Sequence, residues 1–165
     1  EPTPLFHGSP HTKAIDQEGL KITKGKRSHG FLGADYDVDN LGIFMTDSQA
    51  MAHNFGSNRA YLPSEYKVYS AYANLDKMLD LTKSIPRNLM KIGLGLVNPW
   101  NGTKKTRLAQ RDLWWLLDQP KFVDAIKEQG YTAVKFKEDA NRIKEAGDKS
   151  ASTIMVLDRK IMMLI

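Results

Sequence analysis

The spacing of apolar residues changes several times along this chain, and each change marks an element. LFHGSP (5–10) is a short apolar group ending on Gly8 and Pro10, which predicts a strand over 5–7 closed by a turn. TKAIDQEGL (12–20) predicts a short helix or turn. Residues 21–40 are rich in Gly, Lys, Asp and Ser and hold no period, so a long surface loop is expected there. LGIFMTD (41–47) is a continuous apolar run and predicts a buried strand. Asp47 or Ser48 then caps a helix, SQAMAHNF, which Gly56 is expected to stop. EYKVYSAYANL (65–75) alternates in β-branched and aromatic residues and predicts a strand, with 76–83 as a short continuation.

Helical spacing dominates the next stretch. IPRNLMKIGLGL (85–96) places a proline in a first turn. TRLAQRDLWWLLD (106–118) has apolar residues at 108, 109, 113, 116 and 117, and PKFVDAIKEQG (120–130) has them at 122, 123 and 126. Two strands close the chain, 131–137 and 153–165, separated by a charged connection over 138–152. The order β–loop–β–α–β–α–α–β–β groups strands at both ends with helices between, which predicts an α+β domain.

Composition narrows the class. The 165 residues suit one domain, 1–165, with a sizeable core. The start, EPTPLFHGSP, carries no initiator Met and no leader pattern, and reads as a processed or excised piece. No apolar run approaches the roughly 20 residues of a membrane helix, so no membrane partner is expected. The lack of cysteine fits a reducing, cytoplasmic compartment. A formal charge of +5 and a pI near 9.3 suit a phosphate-bearing partner, or simply a solvated surface.

Most catalytic patterns are missing. The four histidines include no HExxH, and Pro10 separates His7 from His11, so no metal site is expected. There is no Walker loop, no GxGxxG after a strand and no GxSxG. HGS (7–9) is more informative. A histidine at a strand end can reach into a cleft, and a neighbouring glycine lets a flat group approach the main chain. A carboxamide, with one donor and one acceptor, matches such an edge at two points. The plainer alternative is an imidazole satisfied by a nearby carbonyl beside an ordinary turn. In GIFMTDSQAMAHNFG, a strand carries Phe44 and the next helix carries Phe55, a pair able to sandwich a flat ring unless both are core. In Trp114–Trp115, on a helical face, at least one indole is expected in the core.

HGS together with GIFMTDSQAMAHNF resembles the ADP-ribosyltransferase superfamily, in its diphtheria-toxin/poly(ADP-ribose)-polymerase-like branch. That family has a strand ending in His-Gly-Thr/Ser, a Gly-aliphatic-aromatic strand, and a second aromatic eleven positions after the first, as Phe44 and Phe55 are here. GYTAVKFKED and TIMVLDRKI resemble the ending of phage- and toxin-associated members, often modules of phage capsid or polyvalent proteins and effectors delivered into a target cell. The resemblance implies a split β-sandwich around an NAD cleft. It implies that His7 holds the adenine-side ribose and that Gly8, with Ser9 beside it, holds the nicotinamide carboxamide. Phe44 and Phe55 would flank the nicotinamide. Lys24, Lys26 and Arg27 would border the cleft near the pyrophosphate.

One family residue is replaced. The glutamate that supports the oxocarbenium-like transition state aligns with Thr153, which can hydrogen-bond but brings no charge. Glu138, Asp139 and Glu145 lie in the preceding connection, and Glu145, taken into the candidate set, or Asp148 could fold over the cleft, unless all of them belong to a solvated, Lys-balanced loop. The expected activity is transfer of a single ADP-ribose from NAD⁺, used as substrate without a metal, to a protein or nucleic-acid acceptor. The candidate catalytic set is His7, Phe44, Thr153 and Glu145. A pseudo-enzyme that binds NAD⁺ or ADP-ribose, and a basic interaction module, are the alternative classes.

Overall fold

Thr153–Val156 is buried at all four positions, because this strand runs through the middle of a sheet packed on both faces. The architecture comes from a computed structural model that describes residues 1–27, 36–59 and 65–165. In chain order the elements are β1 (Thr3–Ser9), α1 (Thr12–Glu18), β2 (Lys24–Arg27), β3 (Tyr36–Asp39), β4 (Ile43–Thr46), α2 (Gln49–Arg59), β5 (Lys67–Ala73), β6 (Met78–Asp80) and α3 (Arg87–Val97). They continue as α4 (Gln110–Leu116), α5 (Pro120–Glu128), β7 (Ala133–Phe136), α6 (Ala140–Ala146), β8 (Thr153–Val156) and β9 (Met162–Leu164). The protein is an α+β domain built on an open seven-stranded sheet in the order β6-β7-β8-β4-β1-β5-β9. Strands β2 and β3 form a separate two-stranded ribbon.

Among the described residues only β6 and β7 pair in parallel. A parallel pair needs a long crossover, and α3, α4 and α5 are that crossover. Their apolar sides meet the alternate residues Val134, Phe136 and Met155 and form the larger core with Leu89, Leu113, Leu116, Phe122 and Ile126. The intervening residues, Ala133, Ile154 and Val156, point to the other face, where they pack with Leu5, Leu20, Met45 and Ala71. The period of two along each strand thus divides the apolar residues between two cores.

Several expectations need correction. The loop expected over 21–40 contains the β2–β3 ribbon; β2 (KGKR) has no apolar residue, and the alternation in β3 (YDVD) spans only four positions. Helix α2 does not stop at Gly56 but runs on to Arg59. Gly56 is held inside it by the Tyr66 ring, which leaves no space for a Cβ (2.4 Å to Cδ2). Ser48 caps this helix, its hydroxyl accepting the Met51 N–H at 3.1 Å. Helix α4 begins at Gln110 rather than 106, because the buried Asp112 carboxylate accepts the Ala109 N–H at 2.7 Å and also holds Lys105. The connection 138–152 contains α6, capped by Asp139. The terminal strand is broken at Asp158, whose carboxylate accepts the Lys160 N–H and turns the chain into β9.

Candidate active site

Strand β1 lies between β4 and β5, but its two neighbours hold it very differently. It pairs with β5 along its whole length, from Thr3↔Ala73 to Ser9↔Lys67. With β4 it makes the single pair Phe6↔Thr46. In that register Gly8 would stand opposite Phe44, yet the ladder has ended there. The Phe44 carbonyl is instead taken by the imidazole of His7, at 2.7 Å from Nδ1. A carbonyl only accepts, so Nδ1 carries the proton, and in the neutral ring Nε2 is then the acceptor nitrogen. The β1–β4 pairing is thus notched: no further strand pair forms at the level of Gly8.

Cross-strand partners lie on one face of a sheet. The pairs Phe6↔Thr46, Thr46↔Thr153, Phe44↔Met155 and Phe136↔Thr153 therefore put Gly8, Phe44, Thr46 and Thr153 on a common face. Helix α2 covers that face at Gly8. A Cβ there would lie 1.7 Å from the Ala52 carbonyl oxygen and 2.9 Å from the Gly56 nitrogen. The bare glycine thus serves helix–sheet packing first, and a ligand could meet Gly8 only through its main-chain edge. Ser9 is buried and its hydroxyl accepts the His11 N–H at 3.1 Å, which engages it in the turn towards α1.

The two aromatics come to the same side of the sheet by different routes. Phe44 arrives by strand register and sets its ring edge-on to Phe136, 6.4 Å between centroids. Phe55 arrives on α2 and lies beneath the Arg142 guanidinium of α6, 5.0 Å from its centroid.

Thr153 is buried at the end of β8, and its surroundings fix it firmly. The Thr46 hydroxyl donates to the Ser152 carbonyl at 2.8 Å, and the Asp47 carboxylate accepts the Ser152 N–H at 2.7 Å. The Thr153 hydroxyl donates to Glu138 at 2.7 Å. A carboxylate therefore sits on the side chain of Thr153, from the loop after β7. Glu145, the acid named from the sequence, reaches Asn54 of α2 instead, at 3.5 Å on an exposed surface. Asp139 is used as the α6 cap, and Asp148 bonds Ser150 and Ser48, which hold its carboxyl below the usual range. The signal for Glu138 in the sequence is its place just after an apolar strand. Three other acids in the same connection obscure it.

Lys24 lies on the β2–β3 ribbon, and the side chains of Lys26 and Arg27 lie outside the described residues. Trp114 and Trp115 both pack against the larger core, and the Trp114 indole donates to the Lys137 carbonyl at 2.8 Å. Among the described residues no group of three or more His, Cys, Asp or Glu is placed to hold a metal, and no helix is long and apolar enough to cross a membrane. Two open surface grooves, about 440 and 420 Å³, run along α1 and along α6. Neither includes Gly8, Phe44 or Thr153 in its lining.

On the opposite face, Tyr69 stands across from His7. Its hydroxyl meets Asp16 at 2.9 Å and the Thr12 carbonyl at 3.1 Å, which docks α1 beside the histidine strand. Burial, then the bond to Asp16, pushes the Tyr69 hydroxyl up to about 12 from its ordinary 10.0. The folded state therefore keeps a proton that the unfolded chain loses. Stability is full below pH 10 and is expected to fall as pH rises through about 12. Tyr69→Phe should flatten that part of the curve. Denaturant titrations at pH 9 to 12 check this, and an unchanged slope in the variant would remove Tyr69 as the cause.

Comparison with protein-family models, curated proteins and solved structures finds no match for this chain.

Proposed function

We propose that this chain is an ADP-ribosyltransferase-like domain that binds NAD⁺ at the β1–β4 notch and transfers one ADP-ribose to a macromolecular acceptor. The observation that carries the reading is the carboxylate of Glu138 seated on Thr153. It supplies negative charge on the face shared by Gly8 and Phe44, at the position where the resembled family carries its glutamate. The His7–Phe44 bond supports the reading as well, because it keeps β4 from closing over the Gly8 edge.

In this reading the nicotinamide carboxamide pairs with the Gly8 main chain while the ring lies between Phe44 and Phe55. His7 lies on the other face of β1 and contributes through its bond to the Phe44 carbonyl. The bond between ribose C1′ and the nicotinamide nitrogen breaks, and its electron pair leaves with neutral nicotinamide. Positive charge develops on C1′ and the ring oxygen, and the Glu138 carboxylate stabilises it. An acceptor nucleophile then bonds to C1′ and releases its proton. The domain acts in a reducing compartment, and its basic charge favours an acceptor that carries phosphate.

Nicotinamide release by the purified protein, with and without cell lysate, tests this. Phe55→Ala is expected to lower release about ten- to a hundredfold, the usual weight of an aromatic stack. A non-catalytic NAD⁺-binding domain is the second reading, favoured by the Arg142 guanidinium that already covers Phe55. It predicts thermal stabilisation by NAD⁺ without release. A protein showing neither response is not an NAD⁺ domain.

A further inference from the structure

We infer that Arg142 is the anion-binding arm of this site, and that it turns from the Phe55 ring to the diphosphate when NAD⁺ binds. The inference rests on the function proposed above. The Arg142 guanidinium lies 5.0 Å over the Phe55 ring. Its Nη1 is buried and has no hydrogen-bond partner among the described residues. These two facts pull in opposite directions. Stacking on an aromatic face stabilises a guanidinium. An unpaired buried donor is costly, and more so when it is charged. The resting position is thus a compromise that a better acceptor can end.

The chemistry of that acceptor follows from the side chain. A guanidinium is always charged and presents its N–H groups as a flat fork suited to carboxylate or phosphate. The carboxylates near it in the chain already serve other donors. Glu138 accepts from Thr153, Asp139 from the Asn141 N–H, and Glu145 from Asn54. An oxyanion from outside the chain remains, and a diphosphate offers the most acceptor atoms.

The movement has a second consequence. Arg142 and a nicotinamide ring compete for Phe55. NAD⁺ brings both the ring that needs this face and the diphosphate that draws the arginine away from it. Free nicotinamide brings only the ring and must displace a cation to which it gives nothing. Removing the guanidinium should therefore move the two affinities in opposite directions, which a merely structural side chain would not do.

The test measures binding of NAD⁺, nicotinamide and inorganic pyrophosphate by calorimetry to the parent, Arg142→Ala and Arg142→Gln. Gln keeps a flat polar end without charge, and melting curves confirm that each variant folds. Loss of charge-assisted bonds predicts about a tenfold or greater weakening for NAD⁺ in both variants. Pyrophosphate binding should be lost, and nicotinamide binding should be tighter. Variants that bind NAD⁺ as well as the parent would make Arg142 a packing residue and overturn the inference. A parent that binds nicotinamide but neither NAD⁺ nor pyrophosphate would overturn the anion role while leaving the ring site standing. Pyrophosphate binding that depends on Arg142, without NAD⁺ binding, would keep the anion site and refute the NAD⁺ reading. A parent that binds none of the three overturns both.

Discussion

Glu138→Gln is expected to reduce nicotinamide release about a hundred- to a thousandfold, through kcat rather than KM. The amide keeps the size and a hydrogen-bonding oxygen for the Thr153 hydroxyl, but it removes the charge. In ground-state NAD⁺ the positive charge sits on the nicotinamide ring; as the bond breaks it moves to C1′ and the ribose ring oxygen, where this reading sets the carboxylate, so the loss falls more on the barrier than on binding. Glu138 does not sit there by chance of a flexible loop. Its carboxylate accepts from a threonine that is buried and held between Thr46 and Phe136. Thr153→Val should accordingly cost activity as well, by releasing the carboxylate, though less than removing its charge. Glu145→Gln serves as the comparison, since Glu145 reaches Asn54 on an exposed surface. Nicotinamide release by Glu138→Gln at the parent rate would show that Glu138 does not act on the reaction. The same result confined to Glu145→Gln is what the assignment requires.

Gly8→Ala is expected to be the most damaging small substitution for the fold. The added methyl would sit 1.7 Å from the Ala52 oxygen, 2.7 Å from its carbonyl carbon and 2.9 Å from the Gly56 nitrogen. All three are main-chain atoms of α2, so no side chain can turn aside, and the helix itself must shift. Overpacking usually costs about 1–3 kcal/mol, and a clash with backbone belongs at or above the top of that range. For a domain of this size about 3 kcal/mol corresponds to a fall in Tm of about 6–12 °C. Gly95→Ala makes the same chemical change on α3, where nothing lies within 4 Å of the new methyl. There it should stabilise by about 0.5–1 kcal/mol, because alanine is the better helix residue. Thermal melts of the two variants check both signs. A Gly8→Ala protein that melts with the parent would mean that α2 does not seat on β1.

The two glycines show how far residue type alone can be read. Gly8 was legible as special because it follows a histidine at a strand end, and a ligand edge was the expected reason. The packing of α2 against it lies 44 residues away in sequence at Ala52, and no local pattern announces it. Gly56 failed as a helix stop for the same reason, since Tyr66 fills the space beside it. Helix α6 was hidden because its few apolar residues, Ala140, Ile143 and Ala146, lie among charges and give a weak period. The acid was ambiguous for a related cause. Four carboxylates lie within eleven positions, from Glu138 to Asp148, and spacing cannot say which one a loop turns inward.

Local patterns did carry the α+β class, the strands around His7, Phe44 and Thr153, and the helices that follow Ser48, Pro86 and Pro120. Each depends on neighbours within one turn or one pleat, and such forces are written in consecutive residues. The end of the β1–β4 ladder before Gly8, the two-core division, the parallel β6–β7 pair and the bonding of Glu138 to Thr153 and of Glu145 to Asn54 depend on which distant strands pair and where a ladder ends. Those outcomes follow from packing the whole set of apolar faces at once, so they emerge only when residues far apart in the chain compete for the same space.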